Sequence, residues 1–186
     1  MQGWALVEQG QGEKGIAQLR QGLTTFRAIG AEAGRTHYLA RLAEAYGKVG
    51  QIEEELSVLA EALVIVDKTG ERWYEAELYR LKGELTLQQQ SKVQGPKSKV
   101  ENPQSAFHNP QSEAEPCFLK AIEVARKQSA KSWELRAATS LARLWQQQGK
   151  QQEAHKLLSE IYDWFTEGFD TKDLQEAKEL IESLRH

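Results

Sequence analysis

The sequence predicts an all-α helical-repeat fold, and three observations carry that expectation. Ala, Leu, Glu and Gln supply 84 of the 186 residues. These are strong helix formers, because their side chains lose little rotamer freedom in a helix or bury no polar group. β-branched residues are scattered and never alternate over a strand length, so the period-2 signal of a sheet is missing. All four prolines (Pro96, Pro103, Pro110 and Pro116) fall in one window together with both asparagines, Asn102 and Asn109. Elsewhere the breakers are glycines at intervals, as expected of helices joined by short turns.

Apolar periodicity places the elements in order. The first helix, near 2–10, is barely two turns long and starts at Met1, which suggests truncation of a longer chain. The next, 13–29, follows the turn Gly10-Gln-Gly12. Helices at 35–49 and 52–69 are separated by Gly50, and one at 72–90 runs up to the proline-bearing stretch. Ser112-x-x-Glu115 resembles a capping box that restarts a helix over 114–129, with Pro116 in the tolerant first turn. Gly149 separates 132–148 from 151–166. The last helix, 171–185, shows its stripe openly: Leu174, Ala177, Ile181 and Leu184 recur at spacings of three and four. Asp170 or Thr171 is placed to cap its start.

Length and charge bound the remaining possibilities. A chain of 186 residues fits one domain with a real core, here taken as 1–186. A net charge of −3 with no basic cluster gives no footprint for nucleic acid. No run approaches a membrane span, and Met1 is not followed by a charged-then-apolar leader, so a cytoplasmic protein is expected. The one cysteine, Cys117, excludes an internal disulfide framework and a cysteine-based zinc site; a small core residue is the expectation for it.

A fixed internal period underlies the helices. Leu42-Ala43, Tyr46, Gly50, Leu59 and Ala62 reappear 99 residues on as Leu141-Ala142, Trp145, Gly149, Leu158 and Ile161. Trp73 and Leu81 map to Trp133 and Leu141 at an offset of 60, and Leu42 to Leu81 is 39, as is Leu141 to Leu180. The unit is therefore 39 residues, and the copy spanning 91–112 carries a polar insertion with Asn-Pro-Gln-Ser twice. Such a composition buries too little apolar area to offset its ordering entropy, so a flexible surface loop is expected.

Within a unit, Leu39, Leu42, Ala43, Tyr46, Gly50, Ile52, Leu59 and Ala62 resemble the tetratricopeptide repeat (TPR), as do Leu141, Ala142, Trp145, Gly149, Ala154 and Leu158. Ala114, Phe118 and Ala121 supply a second helix for the interrupted unit. Departures from that pattern are Glu55, where a small residue is usual, a weak match over 2–29, and a period longer than the usual ~34 residues. The resemblance implies a right-handed α-α superhelix of four helix pairs closed by a C-terminal capping helix. Leu141-Ala-Arg-Leu-Trp-Gln-Gln-Gln-Gly-Lys150 and Trp164 to Asp173 also look like the C-terminal repeat tail of large bacterial signalling proteins, in which an NTPase is linked to a nucleotide-cyclase or kinase domain. That likeness implies that the catalytic parts lie elsewhere.

Candidate chemistry is sparse. Gly10-Gln-Gly12-Glu-Lys-Gly15 matches G-x-G-x-x-G literally, but a dinucleotide site needs a preceding strand, so an inter-helix turn is expected. His37, His108, His155 and His186 show no metal-ligand spacing. No nucleophile–base pair, paired-carboxylate site or metal cluster assembles from these spacings, so neither an enzyme nor a cofactor is expected. The five tryptophans recur at repeat positions and are assigned to inter-helix packing, with Trp164, Phe165 and Phe169 sealing the last helix. In a TPR-like stack the first helices line a concave groove. Its expected lining is His37, Arg41, Glu44 and Lys48, then Tyr79 and Arg80, then Arg136, Arg143 and Gln147. Four arginines lean that surface positive, and forked guanidiniums suit carboxylates, so an acidic peptide or protein is the expected partner. A small effector held by Tyr79, or self-association, are the alternatives.

Overall fold

A computed structural model of the chain describes residues 2–30, 34–93 and 110–185. Among the described residues there are nine helices and no strand: α1 (Gln2–Glu8), α2 (Gly12–Ala28), α3 (Arg35–Val49), α4 (Ile52–Thr69), α5 (Glu75–Val93), α6 (Pro110–Lys127), α7 (Lys131–Gln147), α8 (Gln151–Tyr162) and α9 (Lys172–Ser183). They fall into two compact units, Met1–Leu85 and Thr86–His186.

In the first unit α1 packs on α2, α2 on α3 and α3 on α4. The α1–α2 crossing is very close: a Cβ on Gly15 would meet Gly3 O at 2.5 Å and would also collide with Val7 Cγ2. In the second, α7 is central and touches α6, α8 and α9, with α8 also against α9. The repeat register is visible in the packing. Leu42, Leu81, Leu141 and Leu180 are all buried, one on each of α3, α5, α7 and α9. Leu59, Ala62, Leu158 and Ile161 are buried on the second helices, and Ala114, Phe118 and Ala121 fill the same role on α6.

One turn recurs between successive helices. At Gly10, Gly50, Ser129 and Gly149 the residue takes a left-handed φ. Its N–H bonds the carbonyl three residues back, and the following N–H bonds the carbonyl five back; at Gly149 these are Gly149 N to Gln146 O (3.1 Å) and Lys150 N to Trp145 O (2.9 Å). That pairing is the Schellman closure, which satisfies carbonyls a helix end would otherwise orphan.

Several local expectations change. Helix α6 begins at Pro110, not at 114, and Pro116 lies inside it. A proline at the first helical position loses no bond, since that N–H has no intrahelical acceptor. Of the stretch 91–112, residues 91–93 continue α5 and 110–112 open α6, while 94–109 lie outside the described residues. Helix α8 stops at Tyr162 instead of 166. Thr171 is the N-cap of α9, but its hydroxyl donates back to Gly168 O at 2.7 Å instead of accepting an N–H. Cys117 is half-buried on α6, where its Sγ–H points at Glu113 O, and does not belong to the core. Trp164 is 59% exposed and edge-on to Phe165, so the aromatic seal expected over α9 does not form.

Candidate functional site

The groove residues are best taken unit by unit. Along α3, the positions facing away from the core are those at spacings of three and four from His37. His37, Arg41 and Glu44 are half-buried and Lys48 is exposed, while Leu39, Ala40, Leu42, Ala43, Ala45 and Tyr46 between them are buried. Helix periodicity alone makes this stripe, because residues four apart sit above one another.

Tryptophans border the stripe at both ends. Trp4, from α1, lies under two cations: Arg41 Cζ is 4.8 Å and Lys48 Nζ 4.6 Å from its ring centroid. The same cations are held in place by carboxylates, Arg41 Nη1 donating to Glu44 Oε2 at 3.1 Å and Lys48 Nζ to Glu8 Oε1. At the other end His37 stacks on Trp73 at 5.5 Å and meets Tyr74 edge-on at 4.8 Å. Trp73 is 49% exposed, and its indole N–H donates to Glu71 Oε1 at 2.6 Å, the oxygen that also accepts from Gly34 N. Burial, helped by the nearby Arg41 charge, lowers the pKa of His37, so the ring is neutral near pH 7. Its Nδ1 is buried with no hydrogen-bond partner.

Arg80 does not line an open groove. It is 6% exposed and clasped by its own helix, with Nε and Nη2 each donating to the Glu77 carboxylate at 2.8 Å and Nη1 donating to Glu84. A bidentate clasp of this kind holds a guanidinium in place and neutralises it. Its neighbour Tyr79 is half-buried. The positive face expected of α5 is therefore an internal ion cluster.

On α7, in the second unit, Arg143 and Gln147 are exposed and Arg136 is half-buried. Acids of the α9 segment answer both arginines. Arg143 Nη2 donates to Glu176 Oε2 at 2.7 Å, and Arg136 Nε lies 3.8 Å from Asp173 Oδ1 with its guanidinium 5.3 Å over Trp133. The Arg143 hydrogen bond is what keeps the Glu176 carboxyl below the usual range. Nearer the start of α7, Glu134 is buried; burial raises its carboxyl, but hydrogen bonds from Arg126 and Lys131, both at 2.7 Å, outweigh that and lower it.

Trp4 and Trp73 are not among the groove residues expected from sequence. The repeat holds a signal for the first: Gly10 and Gly50 close the same turn, so Trp4 and Glu8 are the counterparts of Glu44 and Lys48. The first unit also carries an open groove of about 540 Å³, walled by Leu19, Gly22, Phe26 and Ile29 from α2 and its end and by Tyr38 of α3. Among the described residues no group of three or more His, Cys, Asp or Glu side chains could hold a metal ion, and no helix is long and apolar enough to cross a membrane.

Two stacks of helix hairpins with a repeating turn and a repeating core define a helical-repeat protein of the TPR-like class, and solved structures agree. A Podosopora anserina protein of nearly identical TPR-like repeats, described as a putative kinesin light chain, superposes with a TM-score of 0.60 at 21% identity, covering 98% of this chain and 90% of that one. A single-substitution variant of it gives a TM-score of 0.60 at 20% identity, over 98% and 89%. The chain has a TPR-like helical-repeat fold. Among curated sequences, 83 residues are 34% identical to "Uncharacterized protein R02095" of Rhizobium meliloti (strain 1021), covering 45% of this chain but 8% of that protein. No family model matches the sequence.

Proposed function

We propose that the chain is a non-enzymatic docking module in which the α3 stripe of the first unit receives an acidic peptide segment of a protein partner. One observation carries this: Arg41 and Lys48 stand over the face of Trp4 on the side of α3 turned away from the core. A cation held over an indole is pre-positioned, so a partner carboxylate meets it with little side-chain entropy left to lose. The second unit offers Arg136, Arg143 and Gln147 in the same role; in both units a partner carboxylate displaces one of the chain's own, Glu44 and Glu8 in the first and Asp173 and Glu176 in the second. Helical repeats suit this task because each pair buries its apolar face only against neighbours and leaves a long rigid surface. The resemblance of Leu141–Lys150 and Trp164–Asp173 to the repeat tails of bacterial signalling proteins is the ground for extending the reading to a cytoplasmic regulatory tail of such a protein.

The test is titration of the chain with a Glu-rich peptide, followed by Trp fluorescence at low salt. The Arg41→Ala/Lys48→Ala double variant should bind on the order of tenfold to a hundredfold more weakly, as the loss of charge-assisted hydrogen bonds predicts. Equal binding by both proteins, or none by either, removes this reading.

A second reading is favoured by the groove beside Phe26 and Tyr38: a small effector enters there, within the size range of ligand pockets. Phe26→Ala would then abolish effector binding and leave the peptide titration unchanged.

A further inference from the structure

Helix α4 opens with Glu53, Glu54 and Glu55, and only the third turns inward. Acidic residues are ordinary in the first turn of a helix, where they face the positive end of its dipole, but they are ordinarily solvated. Glu55 is 3% exposed. It fits because α3 presents Gly47: a Cβ there would stand 2.8 Å from Oε2 and 3.0 Å from Oε1. The carboxyl group lies on bare helix backbone, and its Oε2 has no hydrogen-bond partner.

The charged groups around it are mostly acids. From α3 comes Glu44, bonded to Arg41, with Lys48 one residue past Gly47 and bonded to Glu8. From α5 come Glu84 and Arg80, the latter clasped by Glu77. From α2, Glu13 reaches the start of α4 through Gln51. The cluster sets Arg80 among several carboxylates, and Arg80 spends its donors on Glu77 and Glu84.

We propose that Glu55 is a proton-operated latch between α3 and α4: as a neutral acid it stays seated on Gly47, and as a carboxylate it is expelled from the interface and loosens α3. The proposal does not depend on peptide docking. Gly47 nevertheless lies between Glu44 and Lys48, so the segment freed is the one that carries the docking stripe.

Burial raises the Glu55 carboxyl to about 7, with repulsion from Glu84 and then Glu44 adding to it. The unfolded chain gives up this proton near the ordinary 4.5, so between these values the native state holds a proton that the unfolded state has lost. Stability therefore falls as pH rises from about 4.5 to about 7, and Glu55 adds no further change above that. His37 acts in the opposite sense: neutral in the fold, it costs stability as pH drops below 6.5. A comparison with Glu55→Gln removes that complication, since His37 is common to both proteins.

The experiment is thermal unfolding of the full chain from about pH 5 to about 8.5, wild type against Glu55→Gln, alongside a carbon-detected NMR titration of wild-type Glu55. The wild-type Tm should drop, relative to the glutamine variant, by on the order of 5–10 °C across that range. Glu55 should titrate near neutrality. Parallel Tm profiles, or titration of Glu55 in the usual carboxylate range, overturn the latch. Should the glutamine variant fail to fold, the NMR titration of the wild-type chain decides alone.

Discussion

Arg80 and Arg143 are both among the arginines expected to make the groove positive, yet Arg80 is buried and Arg143 is exposed. Arg80→Met strips a bidentate guanidinium from Glu77, itself 1% exposed, and should cost about 3–5 kcal/mol, because a buried charge loses its counterion. Arg143→Ala breaks an exposed pair with Glu176 and should cost no more than about 0.5 kcal/mol. Urea melts of the two variants check this, and equal costs would mean that the Arg80 cluster is not holding α5. The difference is only partly legible in the sequence. The repeat offset of 60 pairs Arg80 with Ser140, a small residue that is buried on α7. The offset of 39 pairs Arg80 instead with Arg41, which is half-buried on α3, so repeat register alone does not decide how deep the side chain sits. Glu55 stands out in the sequence only as a departure from the pattern. What it does depends on Gly47, on the neighbouring helix, and side-chain periodicity within one helix cannot show that contact.

Helices and their order are readable because apolar spacing is a local property; their ends are not always so. Helix α6 starts earlier than Ser112 suggests because Pro110 serves the first turn as well as a capping box would. The half-exposed tryptophans escape prediction for a related reason: Trp73 lies just before α5 and Trp164 follows α8, where repeat register fixes position but not how much of the ring is covered. Two substitutions test the element-level account. In an exposed helix interior Gly→Ala gains about 1 kcal/mol of propensity, yet at Gly15 the new methyl would collide with the backbone of α1. Gly15→Ala should therefore destabilise the chain by about 1–3 kcal/mol, as overpacked sites do. A rise in Tm would show that α1 is not held closely on α2. Conversely, Ser129 is a non-glycine residue at φ 54°, so Ser129→Gly relieves left-handed strain and should raise stability by up to about 1 kcal/mol in the same melts.

At the scale of the whole molecule the two units should answer pH differently, and amide exchange read by mass spectrometry can separate them. Glu134 and Glu176, both in the second unit, have lowered carboxyl pKa values, so their stabilisation is present above the ordinary 4.5 and is lost as pH falls through their folded values. Glu55, in the first unit, acts in the other direction between 4.5 and about 7. Peptides spanning α3 and α4 should therefore gain protection, relative to the same peptides of Glu55→Gln, as pH is lowered from about 8 to about 5. Peptides from α7 and α9 should hold steady there and weaken in stronger acid. One common response across the chain would contradict this, since in a repeat architecture stability is a sum of local terms. The boundary between the units, at Leu85 and Thr86, falls inside α5, and a regular repeat offset does not mark it.

The turn shared by Gly10, Gly50, Ser129 and Gly149 is closed by main-chain bonds. Its only demand on the gene is a codon whose residue tolerates a left-handed backbone. A recombination event that joins one such turn to another brings its own closure with it and has no loop to invent. A whole hairpin can therefore be added or removed at such a joint without a new loop, because each turn carries its own main-chain closure.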